Sequence, residues 1–291
     1  MNQPFDPLQS SLLDLLYELR DAEVQLVIGG GYGLYLKRKL GQEANQATLC
    51  SFVPAARPTE DLDVFLATHI LVDPAKAKIV LKAIQALKCE PVPDKENFQF
   101  TRTFDHEGRA YKTKFDFLTK APSDPSEAKF LDVQDVRVKN KRHGGIHAHL
   151  TAEAIAVEDN PALVEIEGMR TTGEAHRGNV YLPQPYAYLM MKLFAFRDWE
   201  TKKEKPLFAS KHALDLYSIV ALMTEEELAA AEALSRKYRQ MPAAEEAAKI
   251  VAQFFSRSPA QGTIRLREHQ MYSDEIDLSQ FISVLTDLFR Q

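Results

Sequence analysis

The stretch Arg57-Pro-Thr-Glu-Asp-Leu-Asp-Val-Phe-Leu66 constrains this chain more than any other, because it sets two carboxylates inside an apolar run. A strand has a side-chain period of two. Asp61 and Asp63 therefore share one face while Leu62 and Val64 enter the other. Two like charges side by side on a rigid strand repel each other unless something positive lies between them. A divalent cation meets that need: Mg²⁺ takes oxygen ligands, usually one or two carboxylates, with water and phosphate completing its shell. The run thus points to a sheet protein with a metal- and nucleotide-handling edge.

Upstream, Val24-Gln-Leu-Val-Ile28, the glycine cluster Gly29-Gly-Gly-Tyr-Gly33 and Leu34-Tyr-Leu-Lys-Arg-Lys39 read as strand, tight turn and helix. Glycines let a backbone approach phosphate closely, and N–H groups at a helix start favour an anion. The cluster is not a Walker A loop, since no Gly-Lys-Ser/Thr follows. Leu34 and Leu36 also break the dinucleotide fingerprint. Gly29, Gly30, Gly31, Tyr32 and Thr59 are the candidate nucleotide-binding positions, and Tyr32 leaves phosphate contact there to backbone N–H groups.

Downstream, Asn97–Phe104 and Tyr111–Leu118 alternate and read as a hairpin around Asp105-His-Glu-Gly108. Lys112, Lys114 and Asp116 fall on one face, with Tyr111, Thr113, Phe115 and Phe117 on the other. Asp116 is a third mid-strand carboxylate. On its own it reads as the partner of a neighbouring lysine; beside the Asp61/Asp63 pair it reads as a site residue.

These three pieces, in this order, resemble the DNA polymerase β-like minimal nucleotidyltransferase superfamily. More narrowly, Gly30-Gly-Tyr-x-Leu34 followed by Arg57-x-Thr-x-Asp-Leu-Asp-Val64 is similar to the AbiEii-like nucleotidyltransferases, toxins of type IV toxin–antitoxin systems. The second half is similar too. Pro185-x-x-x-Leu-x-x-Lys-Leu-x-Ala-x-Arg197 and Lys211-His-Ala-Leu-Asp-Leu216 match the family's two helices, whose lysine and aspartate fall on Lys192 and Asp215. The resemblance implies Mg²⁺ (or Mn²⁺) at Asp61, Asp63 and Asp116, with Lys192 also contacting phosphate. It implies catalytic roles for those three aspartates, Lys192 and Asp215, with Asp116 a second-metal ligand or the acceptor of the hydroxyl proton and Asp215 orienting Lys192 or the acceptor. It also implies an NTP substrate, a tRNA or other RNA end as acceptor, and a cognate antitoxin protein as partner. Transfer to a small hydroxylated molecule and a catalytically silent nucleotide- or partner-binding relative are the alternatives. The chain departs from the family in the insertion Gly41–Pro58, expected to be a loop over the site or a surface excursion.

Lys192 sits in a very apolar helix beside Met191, Leu193 and Phe194, with no acidic residue at i±4. Its ammonium therefore needs a partner from elsewhere or must snorkel to water. The expected partner is the cleft of Asp61, Asp63, Asp116 and triphosphate. Lys211 and Asp215, one turn apart, read as a surface ion pair for Lys211.

At 291 residues with 45% hydrophobic and 26% charged residues, the chain has ample length for one large or two ordinary domains. The fold expected is α/β (α+β): a nucleotidyltransferase-like mixed sheet core over 1–180, then a helical domain over 181–291 that closes the cleft. Expected helices are Leu8–Arg20, Pro74–Lys88 capped by Asp73, Thr224–Tyr238, Pro242–Phe255 and Ser279–Phe289. Further strands are expected at Phe130–Val138, Gly144–Leu150 and Leu163–Ile166.

No apolar run is long enough to span a bilayer, and Met1–Asp6 lacks a signal-peptide pattern, so a cytoplasmic protein away from membranes is expected. Cys50 and Cys89 are too few for a disulfide framework. A net charge of −5 provides no global pull on nucleic acid, which leaves Arg137–His143 and Lys202–Lys205 as local basic candidates. His147 and His149 share a strand face, but no carboxylate or cysteine completes a metal set with them or His143.

Overall fold

The structure is a computed structural model and describes residues 5–142, 145–202 and 206–290. The segments 1–4, 143–144 and 203–205 lie outside the described residues, and with them His143, Gly144 and most of the Lys202–Lys205 stretch. The chain divides into two compact units. The first comprises Met1–Gly33, Pro58–Thr151 and Pro161–Leu182; the second comprises Leu34–Arg57, Ala152–Asn160 and Pro183–Gln291.

The first unit opens with α1 (Pro7–Glu18), β1 (Leu26–Ile28) and the start of α2 (Gly30–Glu43). It continues through β2 (Asp61–Leu66), α3 (Thr68–Val72), α4 (Pro74–Ala86), β3 (Glu90–Pro91), β4 (Gln99–His106), β5 (Arg109–Thr119) and α5 (Pro125–Ala128). It ends with β6 (Leu131–Gln134), β7 (Arg137–Asn140), β8 (Ala148–Leu150), β9 (Ala162–Met169) and β10 (Ala175–Leu182). All ten strands join one mixed sheet in the order β6-β7-β8-β5-β2-β1-β10-β9, with β4 on β5 and β3 on β4. The expected mixed sheet followed by a helical remainder is what the chain forms.

Local chemistry explains most boundaries. Asp6 and Asp73 accept from backbone N–H groups of α1 and α4, each with Pro at the first helical position. Leu12, Leu13 and Leu15 of α1 are fully buried on the sheet, each contributing about 1.5–3 kcal/mol. The β4–β5 hairpin turns more tightly than expected. Glu107 and Gly108 both take positive φ, and Asp105 and His106 pair with Ala110 and Arg109. The run expected as one strand at Phe130–Val138 is instead a hairpin, β6 and β7, because Asp135 takes φ 52° and reverses the chain.

The second unit is helical: α6 (Pro185–Thr201), α7 (Pro206–Leu222), α8 (Glu225–Tyr238), α9 (Pro242–Phe254), α10 (Gln261–Arg267) and α11 (Leu278–Leu288). α6 is apolar on nearly every side because it is central, packing on α7, α8 and α9. Thr224 and Glu227 form a reciprocal capping box at α8. In the Gly41–Pro58 insertion residues 42–47 are exposed, as a surface excursion would be, whereas the part from Leu49 on packs within the second unit. The Leu49 N–H donates to the Met223 carbonyl at 2.8 Å, the Tyr217 hydroxyl donates to the Phe52 carbonyl at 3.0 Å, and Cys50 is buried.

Candidate active site

The strand-turn-helix at the glycines forms, but the helix starts earlier than expected: α2 already includes Gly30, Gly31 and Gly33. β1 pairs antiparallel with β2, and the Gly29 N–H donates to the Asp63 carbonyl at 2.8 Å. Gly29's amide is therefore committed to the sheet, which removes its N–H as a phosphate donor. Gly30 has φ +59°, and a Cβ there would lie 1.7 Å from Asp63 Oδ2. Only glycine lets the Asp63 carboxylate settle against the start of α2, where the helix end favours negative charge. The Tyr32 ring is buried and its hydroxyl donates to Asp6 Oδ2 at 3.3 Å, so its side chain belongs to the core. Gly31 lies in the first turn of α2, and Thr59 is half-buried in the segment before β2.

The carboxylates come together through register. β2 and β5 are parallel, with Asp61 opposite Lys114 and Asp63 opposite Asp116. Asp61 and Asp63 alternate with buried Leu62 and Val64, so four polar side chains occupy one patch of one sheet face. Placing Asp63 beside Asp116 sets like charges across strands, an arrangement that costs stability. Lys114 offsets part of that cost: its Nζ lies 3.2 Å from Asp61 Oδ2 and 3.0 Å from Asp116 Oδ2. Burial pushes the Asp116 carboxyl up to about 6; Lys114 opposes this, and the Asp63 and Asp61 charges add to it. Asp116 Oδ1 is buried without a hydrogen-bond partner.

The donor set suits a hard divalent cation: oxygen atoms only, more than one carboxylate, and one orphaned oxygen. It is not a preformed cage. Among the described residues no group of three His, Cys, Asp or Glu side chains is disposed to hold a metal ion. The geometry gives the reason, since Asp63 turns to the start of α2 and the Lys114 ammonium lies between Asp61 and Asp116. His147 and His149 form no such group either. Burial lowers both, His147 to about 4, so they are neutral at physiological pH.

In the second unit Lys192 is buried, and its Nζ lies 2.7 Å from Asp215 Oδ2. This corrects one expectation. As expected, the lysine takes a partner from elsewhere and does not snorkel to the surface; that partner is Asp215 of α7, where the cleft of Asp61, Asp63, Asp116 and triphosphate was expected. Asp215 was also expected to orient this lysine or the acceptor, and the two do meet; spacing along α6 by itself could not reveal it, because the partner comes from the neighbouring helix. Arg57 completes the cluster with a two-pronged grip on Asp215, 2.8 Å from Nε to Oδ1 and 2.9 Å from Nη2 to Oδ2. Burial alone would raise the Asp215 carboxyl, but Lys192 and Arg57 outweigh it and hold it well below the usual carboxylate range. His212, one turn before on α7, is lowered to about 3, chiefly by burial and next by Lys192, and its Nδ1 has no partner. Lys211 does not pair with Asp215. It is exposed, with its ammonium 4.7 Å from the centre of the Phe208 ring.

Sequence reading passed over three residues. Lys114 was visible as a face-mate of Asp116, but its bridge to Asp61 depends on the β2–β5 register. Arg57 stood in the motif itself without a role. Nothing in the local pattern marked His212.

No family model matches the chain, and no curated protein matches it. Among solved structures, it is similar to the crystal structure of an antigenic nucleotidyltransferase-like protein from Paracoccidioides brasiliensis, at 14% identity over 83% of this chain and 92% of that one, with a TM-score of 0.39. It is also similar to the antibiotic-resistance factor ANT(2'')-Ia in its solution structure, at 10% identity over 81% of this chain and 95% of that one, with a TM-score of 0.33. At such low TM-scores neither likeness carries an argument, and the site stands on its own residues.

Proposed function

We propose that the chain is a divalent-metal-dependent nucleotidyltransferase that moves a nucleotidyl group from an NTP to a hydroxyl acceptor. The observation carrying this reading is the single face on which the β2–β5 register sets Asp61, Asp63, Lys114 and Asp116, beside a helix start that only Gly30 permits. Like charges placed together at a cost to folding are characteristic of sites rather than scaffolds.

In this reading Asp61 and Asp63 would hold Mg²⁺ or Mn²⁺, which when bound would neutralise charge on the triphosphate, and Asp116 would either join them as a ligand or take the proton of the acceptor hydroxyl. Backbone N–H groups at Gly30, Gly31 and Tyr32 approach phosphate, and Thr59 lies just ahead of the site strand. The acceptor oxygen attacks the α-phosphorus, the bond to pyrophosphate breaks, and the acceptor proton passes to Asp116 or, where Asp116 is a metal ligand, to water. Within the second unit Asp215, gripped by Arg57, orients Lys192. Such transfers need positioning and charge neutralisation more than covalent help.

The acceptor proposed is an RNA end, tRNA included. Support comes from the second unit, where the Trp199 and Phe208 rings stack at 4.5 Å with Lys202 and Lys211 each 4.7 Å from a ring centre. The two ammonium groups beside this stack suit backbone phosphate. The AbiEii-like toxin role, with an antitoxin protein as partner, is the finer form of the same proposal. No described helix is long and apolar enough to cross a membrane.

The test is incubation with each α-labelled NTP, Mg²⁺ and total RNA. Label should transfer to RNA from at least one NTP, stop with EDTA, and fall by at least a hundredfold in Asp63→Asn. Label appearing only on an added aminoglycoside would move the acceptor to the small-molecule class. No transfer to either would leave the nucleotide-binding relative.

A further inference from the structure

Lys114 meets the two carboxylate oxygens that a bridging metal would need. Its Nζ is 3.2 Å from Asp61 Oδ2 and 3.0 Å from Asp116 Oδ2. A divalent cation held by Asp61 and Asp116 would compete for the same oxygens. An ammonium and a divalent ion cannot both lie between one pair of oxygens, since they repel each other and compete for the same lone pairs. The lysine also has somewhere to go. Its side chain is 28% exposed, against 8% for that of Lys192, so its ammonium can turn to water on a flexible four-carbon stem. Asp116 Oδ1, buried and unpartnered, is an acceptor that the ammonium leaves unused and a cation would engage.

We propose that Lys114 is a built-in counter-ion: it holds Asp61 and Asp116 together in the metal-free protein and is expelled when a divalent cation binds. The inference rests on the nucleotidyltransferase reading for the identity of the site. It adds that metal binding is an exchange of one cation for another. It also accounts for three carboxylates on one face without a ready-made cage, because the resident ammonium stands where a cage would close.

Two measurements test it. Mn²⁺ alone is titrated into wild-type protein, Lys114→Met and Asp63→Asn, with free Mn²⁺ followed by electron paramagnetic resonance. Lys114→Met, which keeps the aliphatic stem, should bind at least tenfold tighter than wild type, and Asp63→Asn should bind far more weakly. Binding by wild type with no gain in Lys114→Met overturns the counter-ion and leaves the transferase reading standing. No Mn²⁺ binding by either protein, or binding indifferent to Asp63→Asn, overturns both. The second measurement needs no variant. Brief amine acetylation of wild-type protein, read by mass spectrometry, should label Lys114 several-fold faster when Mn²⁺ is present, while exposed Lys112 stays unchanged. Equal labelling of Lys114 with and without saturating Mn²⁺ overturns the expulsion.

Discussion

Each unit of the molecule holds a cluster of charge, and the two clusters have opposite surpluses. On the sheet face of the first unit, three carboxylates surround one ammonium that bridges two of them, Asp61 and Asp116, with Asp61 and Asp63 half-exposed. Among the helices of the second, one carboxylate serves two cations, and Asp215 and Lys192 are buried. The contrast separates two uses of charge. Surplus negative charge within reach of water can wait for a cation at modest cost. A buried ion pair has lost its hydration, so removing one partner strands the other in a medium that solvates it poorly. The first cluster is built to exchange a partner, and the second to keep one.

The sharpest way to break the comparison is to remove the hub of each cluster. Asp215→Ala strands two cations and should cost about 3–5 kcal/mol of stability in urea denaturation. Asp63→Asn relieves repulsion and should leave stability unchanged or slightly raised. Equal losses in both would mean that the aspartates of the sheet face are structural as well.

A smaller effect has a pH signature. Folding raises the Asp116 carboxyl to about 6, mainly by burial, so the folded protein holds this proton more tightly than the unfolded chain. The stability that comes from keeping Asp116 neutral is present below about pH 4 and is lost as pH rises through 6. Asp116→Asn should therefore stabilise the metal-free protein by about 1–3 kcal/mol at pH 7.5 and by nearly nothing at pH 4. Thermal melting at the two pH values reads the difference, and a pH-independent effect would refute the burial account.

The smallest expected change is at Gly30. Alanine there must hold φ near +59° and would place its Cβ on Asp63 Oδ2. Gly30→Ala should cost about 1–2 kcal/mol through backbone strain alone. It should also weaken Mn²⁺ binding, because Asp63 must move. Unchanged Mn²⁺ affinity in a folded Gly30→Ala protein would detach the helix start from the metal site.

Much of this was legible in the chain because it depends on local periodicity. Alternation around Asp61 and Asp63 predicted which side chains share a face, and Asp73 with Pro74 marked the start of α4. The paired aspartates and Asp116 stood out because charged residues inside apolar strands are costly. Where the reading slipped, a local signal was ambiguous: Phe130–Val138 has strand composition throughout, and only the positive φ at Asp135 divides it.

What the sequence by itself determined is which residues are available and which face each one takes, since both follow from a period of two or 3.6 along one element. What the tertiary structure alone decided is partnership. Lys114 reaches Asp61 through the parallel register of strands that lie 53 positions apart in sequence. Lys192 meets Asp215 from 23 positions away, and Arg57 meets it from 158 away. No periodicity reports a contact between elements. The choice of partner for a buried ammonium is made by packing, which brings together whichever opposite charges the core encloses.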